Sequence, residues 1–396
     1  LDGYYKIELK ELIGLNKPSQ KKSKKTSKQI LRALKKYHGY AYDFLKKEAD
    51  KSLKSDREFI LEAIKISPES FLFASKKLRS DREIALAAAE CAYALEVAGE
   101  NLKSDQYEYF NSRLKRQQKL ISSLQPAQID EKIFARRYAD PATVNKTVLT
   151  TFTPMKGVTK KVGYNLAGTS TGRLTVSEGP QILTLKSEMR DILSSRYEGG
   201  KIMQFDYVSL EPRVALILSG QDPVKDIYTD LCDKVLDSQH GRQTAKLLTI
   251  ATLYGMGVRR VKELIGVSKH TAYEVLKKLE IFFGVSEVKA HLEEEAKSGF
   301  IKNHFGRNIR VRNDASHVLY NNYIQSSAMD AALEGFYQIV QGVEKEGHKC
   351  VPLFLLHDAI IFDCHPECFD KLEDIMAPGQ QIPAFKSRLY MGAEEL

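Results

Sequence analysis

The chain has 396 residues, enough for two or three domains with sizeable cores. Its formal charge of +9 and 28% charged residues favour an anionic partner, and no apolar run reaches the ~18 residues a membrane span needs. Five cysteines (Cys91, Cys232, Cys350, Cys364 and Cys368) fall at irregular spacings, which excludes a disulfide framework and points to a reduced intracellular setting. Cys364 and Cys368 lack the second pair that a zinc site requires. The chain begins at Leu1 and shows no secretory leader, so it reads as a fragment or a processed piece.

From Asn16 to Tyr42 there is no acidic residue, while Lys17, Lys21, Lys22, Lys24, Lys25, Lys28, Arg32, Lys35 and Lys36 are basic. Such a run serves either as a solvated face or as a phosphate-contacting segment. An internal repeat follows. Leu53-Lys-Ser-Asp-Arg-Glu-Phe59 recurs as Leu78-Arg-Ser-Asp-Arg-Glu-Ile84, and more weakly as Leu102-Lys-Ser-Asp-Gln-Tyr-Glu108. Each Ser-Asp before Arg-Glu predicts a helix N-cap with acidic support in the first turn. Apolar residues at helical spacing follow (Ile60, Ile64 and Phe71, then Ile84, Ala88 and Cys91), which predicts short helical hairpins stacked on one another.

From Arg113 onward short strands alternate with longer helices. Strand or loop is expected at Tyr164–Leu174 and at Lys201–Phe205. Helices are expected at Leu210–Leu218, Gly241–Tyr254, Lys269–Phe283, Val288–Ser298 and Asn321–Glu344. Val351–Asp363 reads as two strands joined at His357-Asp358-Ala359, a turn that would project Asp358 outward.

Two aspartates therefore sit at strand ends, Asp206 after Lys201-Ile-Met-Gln-Phe205 and Asp358 in the hairpin. Between them, Arg242, Lys246, Ile250 and Tyr254 recur every four residues, a step that drifts only about 40° around an ideal helix. The stripe offers a guanidinium fork and an ammonium for a polyphosphate, and an apolar and an aromatic surface for a base or sugar. Two strand-borne carboxylates plus a basic helix face are what metal-assisted phosphoryl transfer requires.

In this order the motifs resemble those of the family A DNA polymerases. They are Asp206-Tyr-Val-Ser-Leu-Glu211-Pro-Arg213, then Arg242-x3-Lys246-x7-Tyr254-Gly255, then His357-Asp358. Gly168-Thr-Ser-Thr-Gly-Arg173, His304-Phe-Gly-Arg307 and Asn321-x3-Gln325-Ser-Ser-Ala are similar to supporting blocks of the same family. The resemblance implies an α+β right-hand fold with an antiparallel palm sheet, helical fingers and a helical thumb. It implies a thumb over 1–160 with a helical-repeat insertion at about 40–108. The palm would span 161–221 and 307–396, with fingers at 222–306 between its two parts. It further implies two Mg²⁺ ions, with Mn²⁺ able to substitute, on Asp206, Asp358 and the Tyr207 backbone carbonyl.

Lys246 would be a catalytic proton donor and, with Arg242, Ile250, Tyr254, Glu211 and Tyr228, would bind a dNTP. Glu211 would exclude ribose. Arg173, Asn321, Gln325, His357 and Arg307 would touch primer-template DNA. Ala359 stands where the family usually has Glu, and a small residue there is also similar to single-subunit RNA polymerases, the nearest alternative; a degenerate, DNA-binding polymerase fold is a third. Ile250, Tyr228, Val208 and Pro212 are further departures from the family pattern. The repeats resemble a family catalogued only as a domain of unknown function, and would hold a processivity partner or the duplex, or else be inert decoration. The family's exonuclease motifs would lie upstream. A monomer in a bacterial cytoplasm, a phage-infected cell or an organelle is expected.

Overall fold

The computed structural model describes residues 26–34, 41–88, 105–143, 145–166, 168–236 and 241–396. Most of the N-terminal basic run, Cys91 and the start of the third repeat lie outside the described residues. Those described fall into two compact units, one ending at Ala88 and one running from Asp105 to Leu396.

The first unit is helical, and its local order follows the repeat. Asp56 accepts a hydrogen bond from the Phe59 amide and starts helix Arg57–Ile66. Asp81 does the same for Glu83 and Ile84 ahead of helix Arg82–Ala87. The predicted caps therefore form, and each satisfies amides that a helix start leaves unpaired. The return limb of the first hairpin is a 3-10 turn at Pro68–Phe73 and the short helix Lys76–Arg79. Arg57 of one repeat donates to Asp81 and Glu83 of the next, so the capping aspartate also ties the repeats together. Phe59, Ile60, Ile64, Phe71 and Ile84 form the buried face.

The second unit is built on a four-stranded antiparallel sheet of β1 (Lys201–Tyr207), β2 (Cys350–Leu356), β3 (Ala359–Cys364) and β4 (Met391–Glu395), in the order 4-1-3-2. β2 and β3 are apolar almost throughout because both faces are covered. Cys350 and Cys364 are opposite each other in this pair with their Sγ atoms 3.1 Å apart, as buried thiols. The register sets Asp206 opposite Ala359 on one side and Gly392 on the other.

Behind the sheet runs the 31-residue helix Ser316–Glu346, packed through Phe336 against Tyr207, with ring centroids 5.5 Å apart. The Tyr207 hydroxyl donates to the Gly379 carbonyl, and a Cβ at Gly335 would lie 1.8 Å from that hydroxyl. Only glycine lets the helix pass here.

A buried ion cluster joins that helix to its neighbours. Asp330, fully buried, accepts from Arg113 at 2.9 Å and from Arg307 at 2.7 Å. Asn303 and Gln117 donate to the same carboxylate. The two guanidinium groups hold the Asp330 carboxyl well below the usual carboxylate range against the opposing effect of burial.

A second hydrophobic core lies among the helices from Leu210–Leu218 to Val285–Ala296. It includes Leu216, Leu231, Leu248, Val261, Leu279 and Leu292. Helices Leu210–Leu218, Arg242–Leu253, Lys269–Phe282 and Val285–Ala296 agree with the expected spans to within a few residues. Among the described residues no helix is long and apolar enough to cross a membrane.

Candidate active site

A cleft of about 400 Å³ opens at the C-terminal end of β1. Asp206 reaches it from the strand, and Asp358 from the two-residue turn between β2 and β3. His357 takes a left-handed φ of 55° to make that turn, a conformation that costs a non-glycine residue free energy. Asp358 projects as expected, and its carbonyl accepts the Tyr207 amide at 3.2 Å, which locks the two aspartate-bearing segments together.

Burial pushes both carboxyls up. Asp206 is pushed to about 7, mainly by burial, with the Asp358 and Glu394 charges adding to it. Asp358 is raised by burial against the opposing pull of His357 and Arg173. Two neighbouring hard-oxygen donors that resist ionisation next to each other are a fitting place for a divalent cation. Among the described residues no third His, Cys, Asp or Glu joins them in metal-binding geometry. A cation held by only two side chains would take its other ligands from water, backbone or substrate, which suits Mg²⁺.

Helix Arg242–Leu253 forms the opposite wall. Its buried face carries Ala245, Leu248, Thr249 and Thr252, which leaves Arg242, Lys246 and Ile250, with Tyr254 just beyond, exposed toward the cleft. The stripe predicted from spacing is therefore a physical surface. Arg242 pairs with Asp226 at 2.9 Å and lies over the Tyr228 ring at 5.2 Å.

Between the two walls stands Glu211. Arg173 Nη2 donates to its Oε1 at 2.7 Å, and the Tyr254 hydroxyl donates to its Oε2 at 3.1 Å. With its amide oxygen toward Arg173, Gln325 accepts from Nη2 at 3.1 Å and donates to Thr171 at 2.8 Å.

Asp206, Asp358, Tyr207, Lys246, Arg242, Ile250, Tyr254, Glu211, Tyr228, Arg173, Gln325 and His357 all line this one cleft. Two expected DNA contacts do not. Asn321 lies on the long helix outside the lining. Arg307, expected to touch DNA, is 4% exposed, and its guanidinium is committed to Asp330. Asp226 and Thr171 join the site without having been expected there. Asp226 carries the one signal that could have found it, a helix N-cap two positions before Tyr228.

The family model for "DNA polymerase family A" matches residues 96–382, most of the chain and every cleft residue. This chain belongs to DNA polymerase family A. Similar proteins of the family include "DNA polymerase I, thermostable" of Thermus filiformis, 25% identical over 250 residues covering 55% of this chain and 29% of that protein. The DNA polymerase of Bacillus phage SP01 is 25% identical over 246 residues, covering 51% and 26%. The chain thus spans less than a third of the length of these relatives.

Among solved structures, the "POL domain of Pol1 from M. smegmatis complex with DNA primer-template and dNTP" shares the fold with a TM-score of 0.53. It is 18% identical, and the match covers 89% of this chain and 71% of that one. The family A fold is thus α+β, as the motifs implied. Residues 28–79 and 56–103 each match a domain of unknown function (DUF4116), in keeping with the repeat.

Proposed function

We propose that this chain is a template-directed DNA polymerase that adds deoxynucleotides to a primer 3′-end. The observation that carries this is the single cleft shared by Asp206, Asp358 and Glu211 with Arg242, Lys246 and Tyr254. In these terms β1–β4 and the long helix are the palm, 222–306 the fingers, and 1–160 the thumb with its repeat insertion.

Asp206 and Asp358, with the Tyr207 carbonyl, would hold two Mg²⁺ ions, for which Mn²⁺ substitutes. Bound there, the ions would supply a lowered pKa for the primer hydroxyl and neutralise charge on the leaving pyrophosphate. Arg242 and Lys246 grip the incoming triphosphate, the first as a planar fork and the second as a point charge. Lys246, exposed in the cleft, can give a proton to the departing pyrophosphate. Ile250 and Tyr254 form the apolar surface on which the base and sugar rest, and Tyr228 backs the Arg242 fork.

Glu211, held from both sides, stands where a ribose 2′-hydroxyl would lie. A ribonucleotide would have to displace or desolvate that carboxylate, which favours deoxyribose. Arg173, Gln325 and His357 sit where the primer terminus and template would enter, with Asn321 further along the helix. Arg307 would act there through its buried pairing with Asp330, not by direct contact. The repeat unit would hold the duplex or a processivity partner, and the polymerase would work as a monomer inside the cell. Primer extension on a defined template tests the assignment. Incorporation of only the complementary dNTP in Mg²⁺ supports it, and no extension in either Mg²⁺ or Mn²⁺ refutes it.

A further inference from the structure

Asp226 lies directly ahead of helix Ile227–Lys234 and is bonded on both of its oxygens. Oδ1 accepts from the amides of Tyr228 at 3.2 Å and Thr229 at 3.3 Å, and Oδ2 accepts from the Thr229 hydroxyl at 2.9 Å. Arg242 donates through Nε to Oδ2, also at 2.9 Å.

The loop before Asp226 is itself fixed. Arg213 is fully buried and donates to the carbonyls of Pro223 at 3.3 Å, Val224 at 3.0 Å and Lys225 at 2.9 Å. Its guanidinium lies 4.7 Å from the Tyr390 ring centroid, which leaves it little room to turn. Arg242 is thus held along its Nε edge by an aspartate that is itself bonded to Tyr228 and Thr229, and across one face by the Tyr228 ring. Arg242 bonds Asp226 through Nε alone, to both carboxylate oxygens, which leaves the paired Nη edge, the part of the fork that suits phosphate, for another ligand.

We propose that Asp226 is a positioning residue for nucleotide capture, aiming the Arg242 fork at the incoming triphosphate. The inference rests on Arg242 being a triphosphate ligand. A half-exposed arginine loses rotamer freedom when it binds an anion, and a fixed counter-ion on Nε removes part of that cost before the nucleotide arrives. A simple N-cap would explain the bonds to Tyr228 and Thr229, but not the bond to Arg242.

The two roles separate in Asp226→Asn, because asparagine caps a helix about as well as aspartate but carries no charge for the guanidinium. Steady-state incorporation should show a KM for dNTP raised about tenfold with kcat within about twofold, and an unchanged melting temperature. In an Arg242→Ala background the same substitution should change KM by less than about twofold. Asp226→Ala should lower the melting temperature as well, since it removes the cap. A wild-type KM in Asp226→Asn, or an equal effect with and without Arg242, overturns the proposal while leaving Arg242 as a phosphate ligand. An unchanged KM in Arg242→Ala overturns the nucleotide role of Arg242 and this inference with it.

Discussion

Glu211 and Arg173 form an ion pair across the mouth of the cleft, 2.7 Å from Oε1 to Nη2. Because Tyr254 holds the other oxygen, the carboxylate bridges the loop that carries Arg173 and the end of the helix opposite. Glu211→Ala should lower the preference for dNTP over rNTP by about 10- to 100-fold, since a pocket that only excludes a hydroxyl discriminates by amounts of this order. Competing incorporation of matched dNTP and rNTP measures it. Unchanged selectivity would remove Glu211 from sugar choice.

Asp206 gives the metal-free protein a pH signature. Its folded-state value near 7 lies above the ordinary carboxylate value of 3.8, so the folded chain holds that proton more tightly than the unfolded chain. Stability from this group is therefore greatest at low pH and is lost as pH rises from about 4 to about 7. In EDTA, the melting temperature should fall across that window more in wild type than in Asp206→Asn. Mg²⁺ should stabilise wild type more at pH 8 than at pH 5.5, because the ion needs the ionised carboxylate. Equal Mg²⁺ stabilisation at both pH values would count against a cation on Asp206.

Asp330 pairs with two buried guanidinium groups, and replacing it with alanine removes the carboxylate that balances their charge. Such a loss costs about 3–5 kcal/mol. Urea unfolding of Asp330→Ala should show a midpoint lowered accordingly, with Asp330→Asn intermediate. A change under about 1 kcal/mol would mean that Arg113 and Arg307 find other partners.

Gly335→Ala should destabilise by about 1–3 kcal/mol, because the added methyl meets the Tyr207 hydroxyl and the Gly379 carbonyl. Tyr207→Phe, which removes the nearest atom, should relieve part of that cost in the double variant. Thermal melts of the four proteins in the cycle check this, and strict additivity would contradict the contact.

Much of the cleft was legible because its chemistry lies in local patterns. A step of four residues puts Arg242, Lys246, Ile250 and Tyr254 on one face whatever the surrounding fold. Apolar runs ending in aspartate mark Asp206 and Asp358 as strand-end groups. What the sequence hid depends on partners distant along the chain. β4 was not foreseen, because Gly392-Ala-Glu-Glu395 has poor strand propensity and pairs only through β1. Arg307 reads as a DNA contact from its motif, since nothing local reveals that it is buried against Asp330. The role of Asp226 is invisible locally because its bond to Arg242 spans sixteen positions.

The most direct measurement is single-turnover extension of a primer by wild type, Asp206→Asn and Asp358→Asn in Mg²⁺. Both substitutions should slow nucleotide addition by about a thousandfold or more, several kcal/mol of transition-state stabilisation, while leaving primer-template affinity within a few-fold of wild type. Extension at wild-type rate by either variant would contradict a metal-dependent nucleotidyl transfer centred on these two aspartates.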